Sequence, residues 1–256
     1  MNFFEDLQLV YKRAFNETIN NIKKNPIILI VPLIYSIIYT FAFAFMGTLL
    51  APVGMLMGFL MPVMTSLILS SYYSMLSDLI YYNRLSFRNL KNTFQNYFAS
   101  IYSVYFILIL ISWLMPVLMA TPGVGLLFSL ILALALNPIA ESIYIQGEYY
   151  TEAYKSSFNF MKENFILWLI PFAIYLLILF LLGFDFRQIL LSSSIIDIPL
   201  GQNLVTGIYL GDIFNIYNLK VLIAMIATAI YAVFRGNLYK ILYGSTRRKR
   251  AYMGEL

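Results

Sequence analysis

Four polar residues in the C-terminal half have side chains that could do chemistry within otherwise apolar sequence: Asn137, Glu141, Arg235 and Asn237. Glu141 lies at the end of one apolar stretch, and Arg235 lies inside another. A charge at membrane depth is costly and is often functional, so a Glu141–Arg235 pair could stabilise a bundle or line a polar path. The simpler expectation is that Arg235 extends to nearby lipid headgroups beside Lys240.

Two further motifs have alternative interpretations. Asn137-Pro138 predicts either a packing kink or a discontinuous helix around a substrate, because proline removes one backbone donor. The cluster Arg247, Arg248, Lys249 and Arg250 predicts contact with anionic lipid that also fixes topology. A tail that binds a protein partner is the alternative for this cluster.

The residue types that are missing exclude several classes of chemistry. The chain has neither Cys nor His. We therefore expect no disulfide, iron–sulfur cluster, His-ligated haem or ordinary zinc site, and no cofactor. No phosphate-binding loop, nucleophile elbow or metal-binding helix motif is found. Since no two carboxylates share a crossing either, we expect a protein that is not an enzyme.

The composition indicates a membrane protein. Hydrophobic residues make up 61% of the chain and charged residues 11%, and the mean hydropathy is +0.78. A soluble fold of 256 residues could not bury so much apolar surface. The net charge of +5 lies in short segments between apolar runs, which favours membrane lipids as partners and argues against nucleic acid.

Long apolar stretches with few or no charges predict six transmembrane helices, since about 20 residues span the hydrocarbon core. We expect them near 26–50, 54–77, 99–120, 124–144, 164–184 and 217–239. Gly54 and Gly58 predict a face where another helix approaches closely. The loop 185–216 could cap a cavity or dock a partner. Its apolar start with the serines after it, 184–194, predicts a short segment on the outer interface that contacts lipid or a partner subunit.

Amphipathic stretches precede the pairs of crossings. The first covers residues 1–24, and similar patterns follow near 87–97 and 148–163. Each predicts a helix in the headgroup plane or one packed on neighbouring segments. The predicted fold is all-α: a polytopic membrane bundle of about six helices as three hairpins, each preceded by a cytoplasmic amphipathic helix. It is one domain, with units 1–77, 78–144 and 145–240 and a basic tail 241–256.

The distribution of Lys and Arg predicts the orientation. All of these residues except Arg187 and Lys220 fall to the side that carries both termini. The positive-inside rule assigns that side to the cytoplasm. We therefore predict a multi-pass cell-membrane protein with cytoplasmic N- and C-termini.

The first and third units share a weak repeat. A shift of 139 residues aligns Asn25 with Asn164 and Ala14 with Ala153, among other identities. Units that all begin on one side are parallel repeats, unlike the inverted pairs of many transporters. Chance matching in a sequence rich in Ile, Tyr and Asn is the competing explanation.

A resemblance follows from the motif Lys23-Lys24-Asn25-Pro26 and its echo at 157–165, Ser-Phe-Asn-Phe-Met-Lys-Glu-Asn-Phe. The chain resembles a group of six-helix membrane proteins that includes the membrane-anchor region of some glycerophosphodiester phosphodiesterases. The motifs are structural, and no hydrolase domain is present, so no catalytic residue carries over. The resemblance implies an anchor-like or membrane-organising module.

These observations predict a non-catalytic, membrane-embedded subunit or scaffold that works through a protein partner, a homo-oligomer or lipid. The alternative is a transporter or permease-type protein for a small solute or lipid. It requires a polar path built from Asn137, Glu141, Arg235 and Asn237. A lipid-acting intramembrane enzyme is a third hypothesis, and it would need two converging carboxylates.

Overall fold

The computed structural model is helical, with no β-strand in the part of the chain that it describes. The described residues are 2–50, 52, 54–85, 90–119, 122–185, 195–201, 204, 215–245, 249–250 and 252. Within them the α-helices are α1 (Phe3–Lys24), α2 (Val31–Leu50), α3 (Gly54–Tyr82), α4 (Leu90–Asn96), α5 (Phe98–Met119), α6 (Pro122–Ala135), α7 (Ile139–Tyr144), α8 (Tyr150–Leu181) and α9 (Ile216–Tyr243). Short 3₁₀ helices cover Pro26–Leu29 and Ile195–Asp197.

Five stretches are long and apolar enough to cross a membrane. They are Val31–Leu49, Gly58–Tyr82, Gly123–Tyr144, Tyr150–Leu181 and Ile216–Tyr243. Leu90–Asn96 and Phe98–Ile111, bent by 40° at Tyr97, make a sixth if they are taken as one span. The prediction of a multi-pass helical membrane protein with about six spans is confirmed.

Helix α3 lies at the centre of the bundle. Its Tyr72, Tyr73 and Leu76 are fully buried, and α2, α4 and α5 pack along it. Helix α2 lies further out, with Phe41 and Phe45 more than half exposed. Exposed apolar side chains on a spanning helix face lipid, which is as apolar as the side chains themselves. The buried core therefore sits around α3, and the outer helices present their apolar faces to hydrocarbon.

Helix α1 begins with a capping box and packs on α9. Asn2 accepts a hydrogen bond from Glu5 N (2.9 Å), and Glu5 Oε2 accepts one from Asn2 N (2.8 Å). These bonds satisfy two backbone donors that the first turn would leave free. Val10 and Ala14 are fully buried against the bundle. One face of α1 is therefore fixed to the end of α9.

Two asparagines interrupt the helical path at positions that the predicted repeat aligns. Asn25 separates α1 from the following 3₁₀ turn (φ −134°, ψ 65°), and Asn164 is non-helical inside α8 (φ −123°, ψ 18°). Each side-chain amide donates to the carbonyl four residues earlier, Asn25 to Asn21 at 3.3 Å and Asn164 to Phe160 at 3.2 Å. An asparagine thus interrupts the helix at the equivalent position of the first and third units.

A close helix approach occurs at Gly236, a glycine outside the predicted pair. A Cβ added to Gly236 of α9 would lie 2.1 Å from Ile80 Cδ1 and 3.0 Å from Tyr144 Oη. Nothing lies within 4 Å of a Cβ added to Gly58, and the surroundings of Gly54 are outside the described side chains. The lack of a side chain at Gly236 therefore allows α9 to pack closely against Ile80 of α3. Gly58 is not at such a close contact.

We expect Gly236→Ala to lower the free energy of unfolding by about 1–3 kcal/mol, because the new methyl group overlaps Ile80. Adding Ile80→Val removes the Cδ1 atom in the way, so the added cost of Gly236→Ala should be smaller in the Ile80→Val background than in the wild type, with the 3.0 Å approach of Tyr144 Oη remaining. Gly58→Ala is the matched control and should be neutral or stabilising, since Ala is the better helix former. Thermal unfolding in detergent measures all four. Equal melting temperatures for Gly236→Ala and the wild type would contradict the expectation.

Candidate functional site

A buried ion pair joins α7 and α9. Arg235 donates from Nε to Glu141 Oε1 and from Nη2 to Glu141 Oε2, both at 2.6 Å. Glu141 is fully buried, and Arg235 is 1% exposed. A two-pronged arginine–carboxylate contact fixes direction as well as distance. The structure thus places the two residues against each other and keeps the Arg235 head away from the headgroups.

A third hydrogen bond ties the pair to the break between α6 and α7. Arg235 Nη2 donates to the Asn137 carbonyl at 2.7 Å. Around the break, Asn137 N donates to Leu134 O and Ile139 N to Leu136 O, three residues back rather than four. Pro138 cannot donate, so the ladder changes to this tighter pattern. The kink predicted at Asn137-Pro138 is present, and one of its carbonyls accepts from Arg235.

Aromatic side chains cover the pair. The Arg235 guanidinium lies 5.2 Å from the Trp168 ring centre and 5.5 Å from that of Tyr231. Trp168 Nε1 donates to Asn137 Oδ1 (2.8 Å), and Tyr144 Oη donates to Glu141 Oε1 (3.2 Å). Cation–π contacts are strongest when the cation is desolvated. Hydrogen bonds and rings together surround both charges.

Asn237 lies in a different cluster. Its Nδ2 donates to Asn21 Oδ1 (2.8 Å) and Thr18 Oγ1 (3.2 Å), both on α1. Asn21 Nδ2 in turn donates to Leu79 O (2.9 Å) and Asn83 Oδ1 (3.1 Å) at the end of α3. Residues two apart on a helix do not share a face, so Arg235 and Asn237 point to different neighbours. The structure brings Asn137, Glu141 and Arg235 together and separates Asn237 from them.

The segment between α8 and α9 enters the bundle. Ile196 and Leu200 are fully buried. Tyr73 donates to the Ile196 carbonyl, Tyr72 to that of Pro199 (2.8 Å) and Ser36 to that of Leu200 (3.2 Å). Non-helical backbone is tolerated at membrane depth only inside protein or a water-filled cavity, because lipid offers no hydrogen bonds. Residues 196–200 are therefore buried in the bundle. The outer interfacial segment is predicted at 184–194, of which 186–194 lie outside the described residues, so that expectation stays a prediction.

Asp197 of this segment is a site residue that sequence reasoning missed. It is 9% exposed and accepts a hydrogen bond from Tyr105 Oη at 2.7 Å. Burial raises the pKa of the Asp197 carboxyl to about 7, and the Tyr105 hydrogen bond offsets part of that rise. The signal in the sequence was an acid between apolar neighbours, Ile195-Ile196-Asp197-Ile198.

The basic tail binds a protein carboxylate through one of its members. Arg250 donates from Nε to Asp6 Oδ1 (2.8 Å) and from Nη2 to Asp6 Oδ2 (2.9 Å), and both side chains are buried. Lys249 is exposed, whereas Arg247 and Arg248 are outside the described residues. Arg250 thus differs from the predicted lipid contact, because its charge is neutralised by the first turn of α1.

Chemically, the cluster around Glu141 is suited to structural support. Both carboxylate oxygens accept from Arg235, so the group is poorly placed to remove a proton from a substrate. Among the described residues, no group of three or more acidic side chains could hold a metal ion. A scan against protein-family models, a search of curated proteins and a search of solved structures find no match to this chain.

Removing one partner of the pair should be costly. We expect Glu141→Gln and Arg235→Gln each to lower the free energy of unfolding by about 3–5 kcal/mol, because a buried charge is left without its partner. The double variant should lose less than either single variant, since no net charge remains. Unfolding in detergent, followed by circular dichroism, tests this.

The control is the exposed Arg13–Glu17 pair, whose closest atoms are 3.1 Å apart. Glu17→Gln should cost less than about 1 kcal/mol. If Glu141→Gln costs no more than Glu17→Gln, the buried pair does not stabilise the fold.

Asp197 should make stability depend on pH. Its folded pKa of about 7 exceeds the ordinary value of 3.8, so the neutral form stabilises the fold. That contribution is complete below about pH 4 and is lost as the pH rises through 7. We therefore expect the wild-type melting temperature to fall as the pH is raised from about 5 to about 8, because Asp197 loses its proton over this range. Asp197→Asn should remove this component, whereas Asp185→Asn, at an exposed acid, should retain it. An equal slope in wild type and Asp197→Asn would refute the assignment.

Proposed function

We propose that this chain is a non-catalytic scaffold or subunit embedded in the membrane, which acts through a protein partner or lipid. The observation that carries the proposal is the internal pairing of Glu141 with Arg235. Both carboxylate oxygens and two of the three guanidinium nitrogens are hydrogen-bonded within the protein, and Arg235 Nη1 has no hydrogen-bond partner among the described residues. Three hydrogen bonds and two aromatic rings surround the Arg235 guanidinium. A polar path through this point would have to break those contacts and leave the charges of Glu141 and Arg235 unpaired in a medium of low dielectric.

The position of Asn237 supports the same proposal. A permeation path built from the four predicted residues needs all four side chains on one route, yet Asn237 is bonded to α1. The remaining three connect α7, the α6–α7 break and α9. Such an arrangement holds the helices together, as expected of a rigid module whose outer surface binds a partner or lipid.

We further propose that both termini face the cytoplasm and that the spans form three hairpins, each introduced by an amphipathic helix. The positive-inside rule supports the orientation. The matching bends at Asn25 and Asn164 support an equivalent construction of the first and third units. An anchor-like role also agrees with the resemblance to the membrane region of some glycerophosphodiester phosphodiesterases.

A transporter is the second candidate, because two irregular segments meet inside the bundle. Tyr73 donates to the Ile196 carbonyl, its ring lies 5.1 Å from that of Tyr144, and Tyr144 donates to Glu141. Broken helices at membrane depth commonly bind substrates in transporters. Under this alternative, the ion pair would belong to a closed state.

One pair of measurements distinguishes the two functions. The scaffold proposal predicts that Glu141→Gln/Arg235→Gln, if monodisperse in detergent, recovers the same partner chains or lipids as the wild type from native membranes. It also predicts equal background flux of protons and ions for wild-type and variant proteoliposomes. Arg13→Gln/Glu17→Gln, at the exposed pair, is the matched control.

Two results would overturn the scaffold proposal. One is a wild-type flux above that of empty liposomes that disappears in the buried double variant and persists in the control. The other is wild-type protein that leaves its native membrane with no partner chain and no retained lipid.

A further inference from the structure

An apolar groove runs between α1, α8 and α9. Its volume is about 830 Å³, and its walls include Tyr11 and Phe15 of α1, Ile174 and Ile178 of α8, and Ala227 and Ile230 of α9. Ile174, Ile178 and Ile230 are each at least 40% exposed. Because α8 and α9 contain predicted spans, the groove opens sideways towards the hydrocarbon of the bilayer.

A cation lies in the wall of the groove. Gln8, Lys12 and Thr18 of α1 supply polar groups in a mostly apolar lining. No acidic residue lies three or four positions from Lys12 on its helix, and Lys12 joins none of the ion pairs found in the described part of the chain. Its neighbour Arg13 is paired with Glu17. The Lys12 ammonium is therefore available to an anion in the groove.

The side chains that line the groove are held by contacts with one another and with the backbone. Tyr175 and Tyr231 stack at 4.3 Å with their planes 7° apart, and Tyr175 shares a 2.8 Å hydrogen bond with Thr228. Tyr11 Oη donates to the Leu167 carbonyl at 2.8 Å, which joins α1 to α8. A preformed site loses less entropy when it binds a ligand than a mobile one does.

We propose that this groove binds one acyl chain of an anionic glycerophospholipid, with the lipid phosphate at Lys12. The volume lies within the usual range for small-molecule sites, about 300–1,000 Å³. The apolar walls match a hydrocarbon chain, and the unpaired ammonium matches the headgroup charge. The inference rests on the proposed scaffold function in one respect: it names the lipid class through which the scaffold acts.

The test is a lipid titration of the purified chain, followed by native mass spectrometry. We expect the wild type to bind phosphatidylglycerol about fivefold more tightly than phosphatidylcholine, the effect of roughly 1 kcal/mol per lysine at an anionic surface. Lys12→Gln should lose this preference, because it weakens binding of phosphatidylglycerol more than that of phosphatidylcholine, whose choline cation already offsets the phosphate charge. Ala227→Trp, which fills the groove, should weaken binding of both lipids.

Two matched variants control for general effects. Lys162→Gln removes another exposed lysine, and Leu222→Trp adds the same bulk to a lipid-facing position on α9 away from the groove. Both should bind like the wild type. Should Ala227→Trp aggregate, Lys12→Gln alone decides, because Lys12 is exposed and not needed for packing.

Equal affinities of the wild type for the two lipids, or an unchanged preference in Lys12→Gln, would overturn the proposal. So would a concentration-dependent dimer that Ala227→Trp abolishes without any change in lipid binding, since a second copy would then occupy the groove. These failures differ from failure of the scaffold function, which appears as flux through proteoliposomes.

Discussion

The structure depends on one constraint: charge placed among apolar helices must be neutralised within the protein. Arg235 meets it through both oxygens of Glu141 and the Asn137 carbonyl. The Asn137 carbonyl lies in the break before Pro138, so the irregular backbone there and the charge on α9 are complementary. Trp168 of α8 donates a hydrogen bond to the Asn137 side chain and covers the guanidinium, so α8 also helps to shield this charge.

The same constraint applies to the irregular backbone of 195–201. Lipid cannot satisfy its carbonyls, so hydroxyl groups of α2 and α3 do so. Helix α3 is suited to this by its buried hydroxyls. Ser70 donates to the Thr93 carbonyl as Tyr72 does to that of Pro199, and Ser71 bonds to the Thr93 hydroxyl. The central helix thus serves as a source of hydrogen bonds for the segments around it, which accounts for its unusual content of Ser and Tyr.

The N- and C-terminal parts of the chain are joined at one end of the bundle. Asp6 pairs with Arg250, and Asn21 bonds to Asn237. These contacts fix α1 along α9 and so form one wall of the groove that Lys12 lines. An apolar groove beside a polar core that is bonded within the protein agrees with the proposed scaffold function.

The local sequence predicts the spans and the break between α6 and α7. The apolar stretch 54–77, which has no charged residue, and the apolar stretch 217–239, which contains Lys220 and Arg235, correspond to the observed spans Gly58–Tyr82 and Ile216–Tyr243. The contact partners follow from the tertiary structure. Glu141 and Arg235 are 94 residues apart, and Asp6 and Arg250 are 244 apart. Which face each helix turns inward depends on all its neighbours at once, so hydropathy could identify neither the Asn21 partner of Asn237 nor the burial of Asp197.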